Sequence, residues 1–381
     1  MMHADMLIRG GTVVDPSRNF QAQADVLIRN DKIVEISPQE DVQAEKIIDA
    51  TGCLVLPGLI DNHAHVFYGG SAVSCDPDVT LLPMGVTTVV DPGSAGVDTA
   101  EAFLRSVIRQ SRMKIFCSLN VSSEGMTTRL HSENLNPKFY NRDRLGYFLR
   151  KYPDVIKGLK IRCGAELVEE FGISALAGAL EVAASLGSPL TVHVTNPPCE
   201  LGDLALMLRR GDTLCHVYHG IGDTIINENG RVKEKIHQAR RNGVMFDTAD
   251  ARKNHSLAIT RLALADGLLP DIISTDLTEA SVFGDMVFGL PVMMSKYLAL
   301  GMPLLEVVRA CTATPAALLG LAGTLGSLAA GATADVAIVK LVTKDRTLPN
   351  GLGESMVIPK LFVPQMTILD GQVVFRQVDF C

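Results

Sequence analysis

Two histidines in an H-x-H arrangement are the residues best suited to chemistry in this sequence. His63 and His65 directly follow the apolar run at residues 54–61. Residues i and i+2 of a strand point to the same face, so both imidazoles can reach one metal ion at about 2.0–2.1 Å. Because zinc usually takes three or four protein ligands, the pair alone indicates a metal site only weakly.

Four further residues supply the missing ligands. His193, His216 and Asp276 each end a separate short apolar run, and Lys160 follows the run at residues 155–159. The carboxyl ends of barrel strands are where the active sites of barrel enzymes lie. Each residue taken alone could instead be a hydrogen-bonded structural histidine or a solvated lysine. The same topological position for all of them predicts a metal centre.

The middle of the chain alternates short apolar runs with segments of helical length, which predicts an α/β fold with a (β/α)8 TIM-like barrel at residues 57–329. Helices are expected at residues 178–186 and 259–265, which end at Gly187 and Gly267. The predicted strands lie at residues 86–90, 115–119, 190–194, 213–217, 244–247 and 272–275.

Both ends of the chain alternate apolar and polar residues, as half-buried strands do. Residues 7–15, 27–35 and 367–375 are similar in sequence, and each is interpreted as two short strands around a two-residue turn. We therefore expect residues 1–56 and 330–381 to form one small β-sandwich domain.

The composition excludes several classes of protein. Of the 381 residues 47% are hydrophobic and 20% are charged, unlike a disordered chain, and the net charge of −7 offers no surface for nucleic acid. We expect no secretory signal at the N-terminus. The uncharged segment at residues 310–334 contains Pro315 and several glycines, so we expect it not to span a membrane.

The eight cysteines contain no C-x-x-C pair, so neither a disulfide framework nor a thiolate zinc site is expected. Most of them should be buried as small hydrophobic residues. Free thiols and the absence of a signal favour the cytoplasm. A homo-oligomer is plausible for an enzyme of this size, and the expected partner is a small-molecule substrate.

Together these motifs resemble the amidohydrolase superfamily along the whole chain. The resemblance is carried by the order of the six candidate ligands, by VLPGLIDNHAH at residues 55–65 and by GATADVAIV at residues 331–339. The group labelled amidohydrolase/deacetylase is most similar. The segments that resemble this group are residues 67–70 (FYGG), 158–162 (GLKIR), 197–198 (PP) and 215–220 (CHVYHG).

The resemblance implies two divalent metal ions, expected to be zinc, and an N-carboxylated Lys160 that bridges them. The more buried metal would be held by His63, His65 and Asp276, and the more exposed metal by His193 and His216. A metal-activated hydroxide would attack a carbonyl group, with Asp276 as the catalytic general base. An ammonium cannot ligate a cation, whereas a carbamate adds negative charge between two dications.

The activity implied by the resemblance is hydrolysis of an ester or amide, with release of an acyl or acetyl group from a small carboxylic acid. The alternative is opening of a cyclic amide, as in dihydroorotase-like relatives. A deaminase is less favoured because such members typically bind one metal and lack the bridging lysine. A non-catalytic scaffold is disfavoured because all six ligand positions are filled.

Four residues beside the ligands are candidates for substrate binding: Arg162, Tyr68, Tyr218 and His219. Arg162 could bind a substrate carboxylate in a bidentate manner, or it could form a structural ion pair. The loop after the seventh strand departs from the pattern of the group, so Asp250 or Arg252 could bind a different substrate group. The remaining histidines are expected at the surface, namely His3, His131, His237 and His255.

Overall fold

The computed structural model describes residues 2–36 and 42–380, and its strands form two sheets. Strands and helices are numbered along the chain. The terminal sheet has the order β15-β14-β13-β5-β1-β2-β3, and β4 pairs with β1. Its strands are β1 (Met2–Asp15), β2 (Phe20–Arg29), β3 (Lys32–Ile36), β4 (Val42–Asp49), β5 (Leu54–Pro57), β13 (Val336–Pro349), β14 (Ser355–Leu369) and β15 (Gln372–Arg376).

Strands from both ends of the chain share this sheet, as the sequence predicts. Strand β5 joins the ends, because it pairs in parallel with β1 and antiparallel with β13. The hairpin turns predicted at residues 30–31 and 370–371 are present between β2 and β3 and between β14 and β15. Asn30 and Asp370 have φ values of 53° and 50°, which turn positions of this kind require.

The turn predicted at Gly10 and Gly11 is wrong. Strand β1 runs through this position, and its register with β2 shifts between Ile8 and Gly11. Gly10 has a φ of 75°, which glycine adopts at low cost in a bulge as well as in a turn. The long strand can therefore pair with β4 before the bulge and with β5 after it.

The second sheet is the parallel barrel sheet, in the order β12-β11-β10-β9-β8-β7-β6. Most of its residues are buried, because the barrel interior covers one face and helices cover the other. Its strands are β6 (Leu59–Asp61), β7 (Val86–Pro92), β8 (Lys114–Asn120), β9 (Ile156–Arg162), β10 (Leu190–His193), β11 (Thr213–Cys215) and β12 (Met245–Asp247).

Residues 272–277 occupy the place of the eighth strand and close the barrel. On one side the Thr248 amide donates to the Ile272 carbonyl at 3.1 Å. On the other side the Asp276 amide donates to the His63 carbonyl at 2.7 Å, and the His65 amide donates to Leu277 at 2.9 Å. The segment makes single bridges rather than a regular strand, because Asp276 adopts a left-handed φ of 48°.

Helices follow the barrel strands. Helices α5 and α8 extend further toward the N-terminus than predicted, and the positive φ of Gly187 (62°) and Gly267 (82°) follows their ends. The helices are α1 (Pro77–Thr80), α2 (Ala100–Phe103), α3 (Arg142–Lys151), α4 (Ala165–Val168), α5 (Ile173–Ser185), α6 (Leu201–Met207), α7 (Glu234–Arg241), α8 (Leu257–Ala265), α9 (Leu290–Ala299), α10 (Leu304–Ala310) and α11 (Ala313–Leu318).

The hairpin formed by β13 and β14 extends beyond the terminal sheet and packs on the barrel. Leu348, Ile358 and Phe362 are buried in the same apolar core as the barrel strands and helices. The Phe362 amide donates to the Ser295 hydroxyl of α9 at 2.9 Å. The tip of the hairpin, residues 350–354, consequently lies beside the loop after β12 at the barrel mouth.

The cysteines within the described residues are placed as the composition predicts. Six of the seven described cysteines are buried, and all seven are free thiols. No helix in the described part of the chain has the length and apolar character needed to cross a membrane.

Candidate metal centre

The H-x-H pair and Asp276 meet at the carboxyl end of the barrel. His63 and His65 follow β6, and Asp276 lies in the closing segment hydrogen-bonded to it. His63 Nε2 lies 3.4 Å from Asp276 Oδ1, and His65 Nε2 lies 3.1 Å from the same oxygen. All three side chains are buried. Their ring nitrogens and carboxylate oxygens therefore face a common point.

The two other predicted histidines border the same point. His193 ends β10 and His216 follows β11, and their ring centroids lie 4.3 Å apart. The His216 ring lies 5.4 Å from that of His63, and His216 Nε2 is 4.0 Å from Asp276 Oδ2. Three residues each offer one possible ligand atom, namely His63, His216 and Asp276. These three atoms lie within 4.8 Å of one another, as metal ligation requires.

Hydrogen bonds fix the orientation of two imidazoles. The Nδ1 atom of His216 lies 2.7 Å from the Ala249 carbonyl, to which it must donate, so Nε2 is left as a lone-pair donor. The Nδ1 atom of His65 lies 2.7 Å from the Ser94 hydroxyl. Such partners on the far ring nitrogen orient histidines that bind metals. The Nε2 atom of His216 is buried and has no hydrogen-bond partner among the described residues.

Lys160 lies on β9 and is 1% exposed. Within the described residues its Nζ atom has no hydrogen-bond partner. Gly93 makes room for its stem, since a Cβ atom at position 93 would lie 2.7 Å from Lys160 Cβ. A buried amine without a partner is costly, so this side chain fits a modified amine that can bind a metal better than an unmodified one.

The protonation of the cluster follows from burial and from its two carboxylates. Burial lowers the pKa of His216 to about 3 and lowers that of His193 well below its usual value. Burial raises the pKa of Asp276, but His63 and His65 hold it well below its usual range. Burial also opposes charge on His63, whose pKa is nevertheless raised by Cys215, Asp276 and Asp247. Metal binding would release this proton.

Two of the candidate ligands adopt strained backbone conformations. His216 has a φ of 60° and Asp276 a φ of 48°, in the left-handed region that residues other than glycine rarely adopt. Asp61 supports the segment, because it accepts hydrogen bonds from the Thr275 amide at 3.2 Å and from the Thr275 hydroxyl at 2.6 Å. Strain of this kind is concentrated at functional sites.

Two cavities lie near the centre, and we name each after its arginine. The Arg162 cavity has a volume of about 490 Å³ and the Arg252 cavity about 510 Å³. Residues that line the Arg162 cavity include Val73, Glu124, Met126, Arg129, Glu133 and Arg162. Residues that line the Arg252 cavity include Arg252, Lys253, Asn254, Asp276, Thr278 and Gly351.

The four candidate substrate-binding residues lie in different surroundings. Arg162 forms an ion pair with Glu133, and its Nε atom lies 2.6 Å from Glu133 Oε1. This is the second of the two roles predicted for Arg162, a structural ion pair. Tyr68 is 59% exposed and lies outside both cavities. Tyr218 is buried and its hydroxyl donates to the Leu268 carbonyl at 2.7 Å, so it packs behind the site rather than lining either cavity.

His219 is also buried and lines neither cavity. Neither ring nitrogen has a hydrogen-bond partner among the described residues, and burial lowers its pKa to about 4. Its ring is therefore neutral at pH 7. Its place beside His216 along the chain does not bring it into contact with the two cavities.

The prediction that His255 lies at the surface is wrong. His255 is 1% exposed, and its Nε2 atom lies 2.8 Å from the Thr260 hydroxyl. It is buried because the hairpin tip covers this loop, with Asn350 donating to the His255 carbonyl at 3.0 Å. His3 and His131 are exposed as expected, and His237 is half-buried.

Several residues at the site were not identified from the sequence. Asp247 ends β12, and its Oδ2 atom lies 3.8 Å from His63 Nδ1. Its position at a strand end, like that of the ligands, was a usable signal. Glu133 and Ser94 lie in loops without a motif, so no local pattern could have identified them.

Comparison with known proteins agrees with this geometry. The model of the amidohydrolase family matches residues 54–374. The chain belongs to the amidohydrolase family. The matched range includes the barrel and the six metal ligands predicted for this chain. It also includes strands β13 and β14 of the terminal sheet.

Relatives of this amidohydrolase have different activities. A deacetylase of Agrobacterium fabrum is 30% identical over 328 residues, covering 86% of this chain and 80% of the relative. A deacetylase of Enterococcus faecalis is 26% identical over 324 residues, covering 84% and 87%. A crystal structure of an adenine deaminase superposes with a TM-score of 0.89 at 25% identity, covering 98% of this chain and 100% of that chain.

A crystal structure of a dihydroorotase superposes with a TM-score of 0.87 at 28% identity, covering 97% of this chain and 98% of that chain. These relatives carry the names of different enzymes, a deacetylase, an adenine deaminase and a dihydroorotase. The family is therefore established, whereas the substrate must be argued from the site itself.

Proposed function

We propose that this chain is a metal-dependent hydrolase that removes an acetyl or other acyl group from an ester or amide of a small carboxylic acid. Membership of the amidohydrolase family supports hydrolysis, and the two deacetylase relatives support an acyl group as the part released. The convergence of buried imidazoles, one carboxylate and one buried lysine supports dependence on a metal.

Six residues are proposed to hold two divalent ions, with zinc as the metal. Imidazole nitrogen and carboxylate oxygen are common zinc ligands, and the buried donors include both. The proposed ligands are His63, His65, Lys160, His193, His216 and Asp276.

The single observation that carries the proposal is the buried Lys160 amine, which lacks a partner beside these ligands. Reaction of its Nζ atom with carbon dioxide would form an N–C bond and release a proton, leaving a carbamate.

The charges of the site are consistent with this modification. The histidine ligands contribute no negative charge when they bind a metal, so Asp276 would be the only anion among the ligands of two dications. A carbamate on Lys160 adds a second anion in the position where the structure has an unpartnered nitrogen. The modification thereby adds negative charge beside the two dications and reduces the excess positive charge.

Divalent ions held here would lower the pKa of water and polarise a substrate carbonyl. Asp276 would accept a proton from the attacking water at its carboxylate. It would then pass that proton to the nitrogen or oxygen of the leaving group, which completes the hydrolysis. The low pKa of Asp276 keeps its carboxylate ionised at neutral pH, as a proton acceptor must be.

The first test is the metal content of protein purified without chelators, together with hydrolysis of acetyl esters and N-acetyl amino acids. We expect about two zinc ions per chain, because six proposed ligands exceed the three or four that one zinc ion takes. Asp276→Asn should retain metal while turnover falls on the order of 10²–10⁴-fold, the usual contribution of a general base. Wild-type turnover in this variant would contradict the role of Asp276, and one zinc or none would contradict the bridge.

A second candidate function is hydrolysis of a cyclic amide. The observation that favours it is the likeness to a dihydroorotase over 97% of this chain. The same metal centre would serve, because both reactions add water to a carbonyl carbon. Turnover of ureide or imide rings, with none of acetyl esters or N-acetyl amino acids, would replace the first proposal with this one.

A further inference from the structure

The Arg252 cavity contains two cations beside a proposed metal ligand. Arg252 and Lys253 line it together with Asp276. Within the described part of the chain, neither cation lies within salt-bridge distance of a carboxylate. The two cations outnumber the one carboxylate of the lining, and such an excess of charge of one sign concentrates ions of the opposite sign. Adjacent unpaired cations therefore favour an anionic ligand in this cavity.

Two acidic residues near this loop, one before it in the sequence and one at the hairpin tip, already have other partners. Asp250 is buried, and it accepts hydrogen bonds from the Lys296 ammonium at 2.8 Å and from the Tyr297 hydroxyl at 2.9 Å. Glu354 accepts from the Leu257 amide at 2.7 Å at the start of α8. Neither carboxylate neutralises Arg252 or Lys253, because each has partners of its own.

The loop that carries the two cations is held in place from two sides. The Gly351 amide of the hairpin tip donates to the Arg252 carbonyl at 2.5 Å. A Cβ atom at position 351 would lie 2.8 Å from Lys253 Cγ, so the lysine stem packs directly on Gly351. On the barrel side, the Thr195 hydroxyl donates to the Asn254 side chain at 3.1 Å. A loop fixed in this way binds a ligand with less loss of conformational entropy.

The Arg162 cavity offers no comparable site. Its Arg162 is paired with Glu133, and its Arg129 lies 2.7 Å from the Glu279 carboxylate. Both guanidinium groups are thus satisfied within the protein. The role first predicted for Arg162, recognition of a substrate carboxylate, fits the unpaired Arg252 better.

We propose that Arg252 and Lys253 bind a carboxylate of the substrate while its acyl group lies at the metal centre beside Asp276. Asn254 and Thr278 also line the cavity and can donate further hydrogen bonds. The assignment of the acyl group rests on the proposed function. Binding of the carboxylate rests on the charges of the cavity alone, so the two can be tested separately.

Dicarboxylates test the binding without turnover. Succinate, glutarate and adipate differ from butanoate, pentanoate and hexanoate by a second carboxylate, and none is hydrolysed. Titration calorimetry on the protein as purified should give a lower Kd for the dicarboxylates. In the double variant Arg252→Gln/Lys253→Gln this advantage should fall by about tenfold or more, as for loss of charge-assisted hydrogen bonds.

Arg129→Gln is the matched control, because it removes an exposed arginine from the other cavity and should leave the advantage unchanged. The proposal is overturned if wild-type protein has no preference for dicarboxylates, or if the double variant keeps it. Kinetics separate this result from the proposed function. Hydrolysis of N-acetyl amino acids and their amides at equal kcat/KM would refute carboxylate recognition alone, whereas a dicarboxylate preference without acyl hydrolysis would refute the proposed reaction alone.

Discussion

The two cavities at the barrel mouth are named after Arg162 and Arg252, and these two arginines have different partners. Arg162 lies on β9, two residues after Lys160, and its guanidinium is paired with the buried Glu133. Arg252 lies on a loop, is exposed, and has no carboxylate partner among the described residues. The arginine nearer to the metal centre along the chain is structural, whereas the one on the loop is free to bind a ligand.

The partner of Arg162 explains the difference. Glu133 also accepts a hydrogen bond from Asn120 at 3.3 Å, and Asn120 lies beside Lys160 in the barrel sheet. Burial raises the pKa of Glu133, but Arg162 more than offsets this and lowers it overall. The pair therefore anchors the loop after β8 to the strand that carries Lys160.

Lys160→Ala should have the largest effect on turnover, because it removes a proposed metal ligand. It leaves Arg162 on the same strand unchanged, so it tests the metal centre without breaking the Arg162 ion pair. Loss of bound metal should reduce turnover by on the order of 10³-fold, since metal ions contribute several kcal/mol to hydrolysis. Metal analysis and kinetics would measure both losses. Partial rescue by a short carboxylic acid such as propionate would support the carbamate. Retention of two metals by this variant would contradict the bridging role.

Glu133→Gln should have the largest effect on stability. Removal of one member of a buried ion pair costs about 3–5 kcal/mol, and we expect about 2–4 kcal/mol here because the Arg162 side chain stays 24% exposed. Urea denaturation would measure the free energy of unfolding. The matched variant Arg252→Gln should change it by less than about 0.5 kcal/mol, as at exposed positions in general. Equal losses in the two variants would remove the distinction between the cavities.

The same pair should make stability depend on pH. The pKa of Glu133 is lower in the folded protein than its ordinary value of 4.5, so the carboxylate stabilises the folded state at pH above that value. This contribution is lost as the pH falls through the folded pKa. The difference in free energy of unfolding between wild type and Glu133→Gln should thus shrink between pH 7 and pH 3. A difference that stays constant over this range would show that the carboxylate charge is not responsible.

The meeting of the four proposed histidine ligands could be predicted from the sequence, because each follows or ends a strand of the barrel. His63, His65, His193 and His216 follow short apolar runs, and parallel strands bring their carboxyl ends to one face of a barrel. The closing segment was harder to describe, because the left-handed φ of Asp276 replaces a regular strand with single bridges. The local sequence pattern was sufficient to predict a side chain's position wherever that position depends only on its place in a strand.

Contacts between distant segments could not be predicted in this way. The burial of His255 depends on a hairpin tip almost a hundred residues further along the chain, through the bond from Asn350. The pairing of Arg162 with Glu133 joins β9 to a loop without a motif. The structure at Gly10 and Gly11 could not be predicted for the same reason. A glycine pair suits a turn or a bulge equally well, and only the pairing of β1 with three other strands makes this position a bulge.

The smallest predicted effect is the salt dependence of ligand binding in the Arg252 cavity. Arg252 and Lys253 are exposed, so added salt should screen their attraction for a carboxylate. We expect the Kd of glutarate to rise about two- to threefold when salt is raised from about 0.05 to 0.5 M, as the Debye length shortens. In the variant Arg252→Gln/Lys253→Gln the dependence should be weaker, because only the metal centre still attracts the ligand. The same salt dependence in both proteins would mean that the two cations contribute no attraction, and the contrast between the cavities would then rest on the Arg162 pair alone.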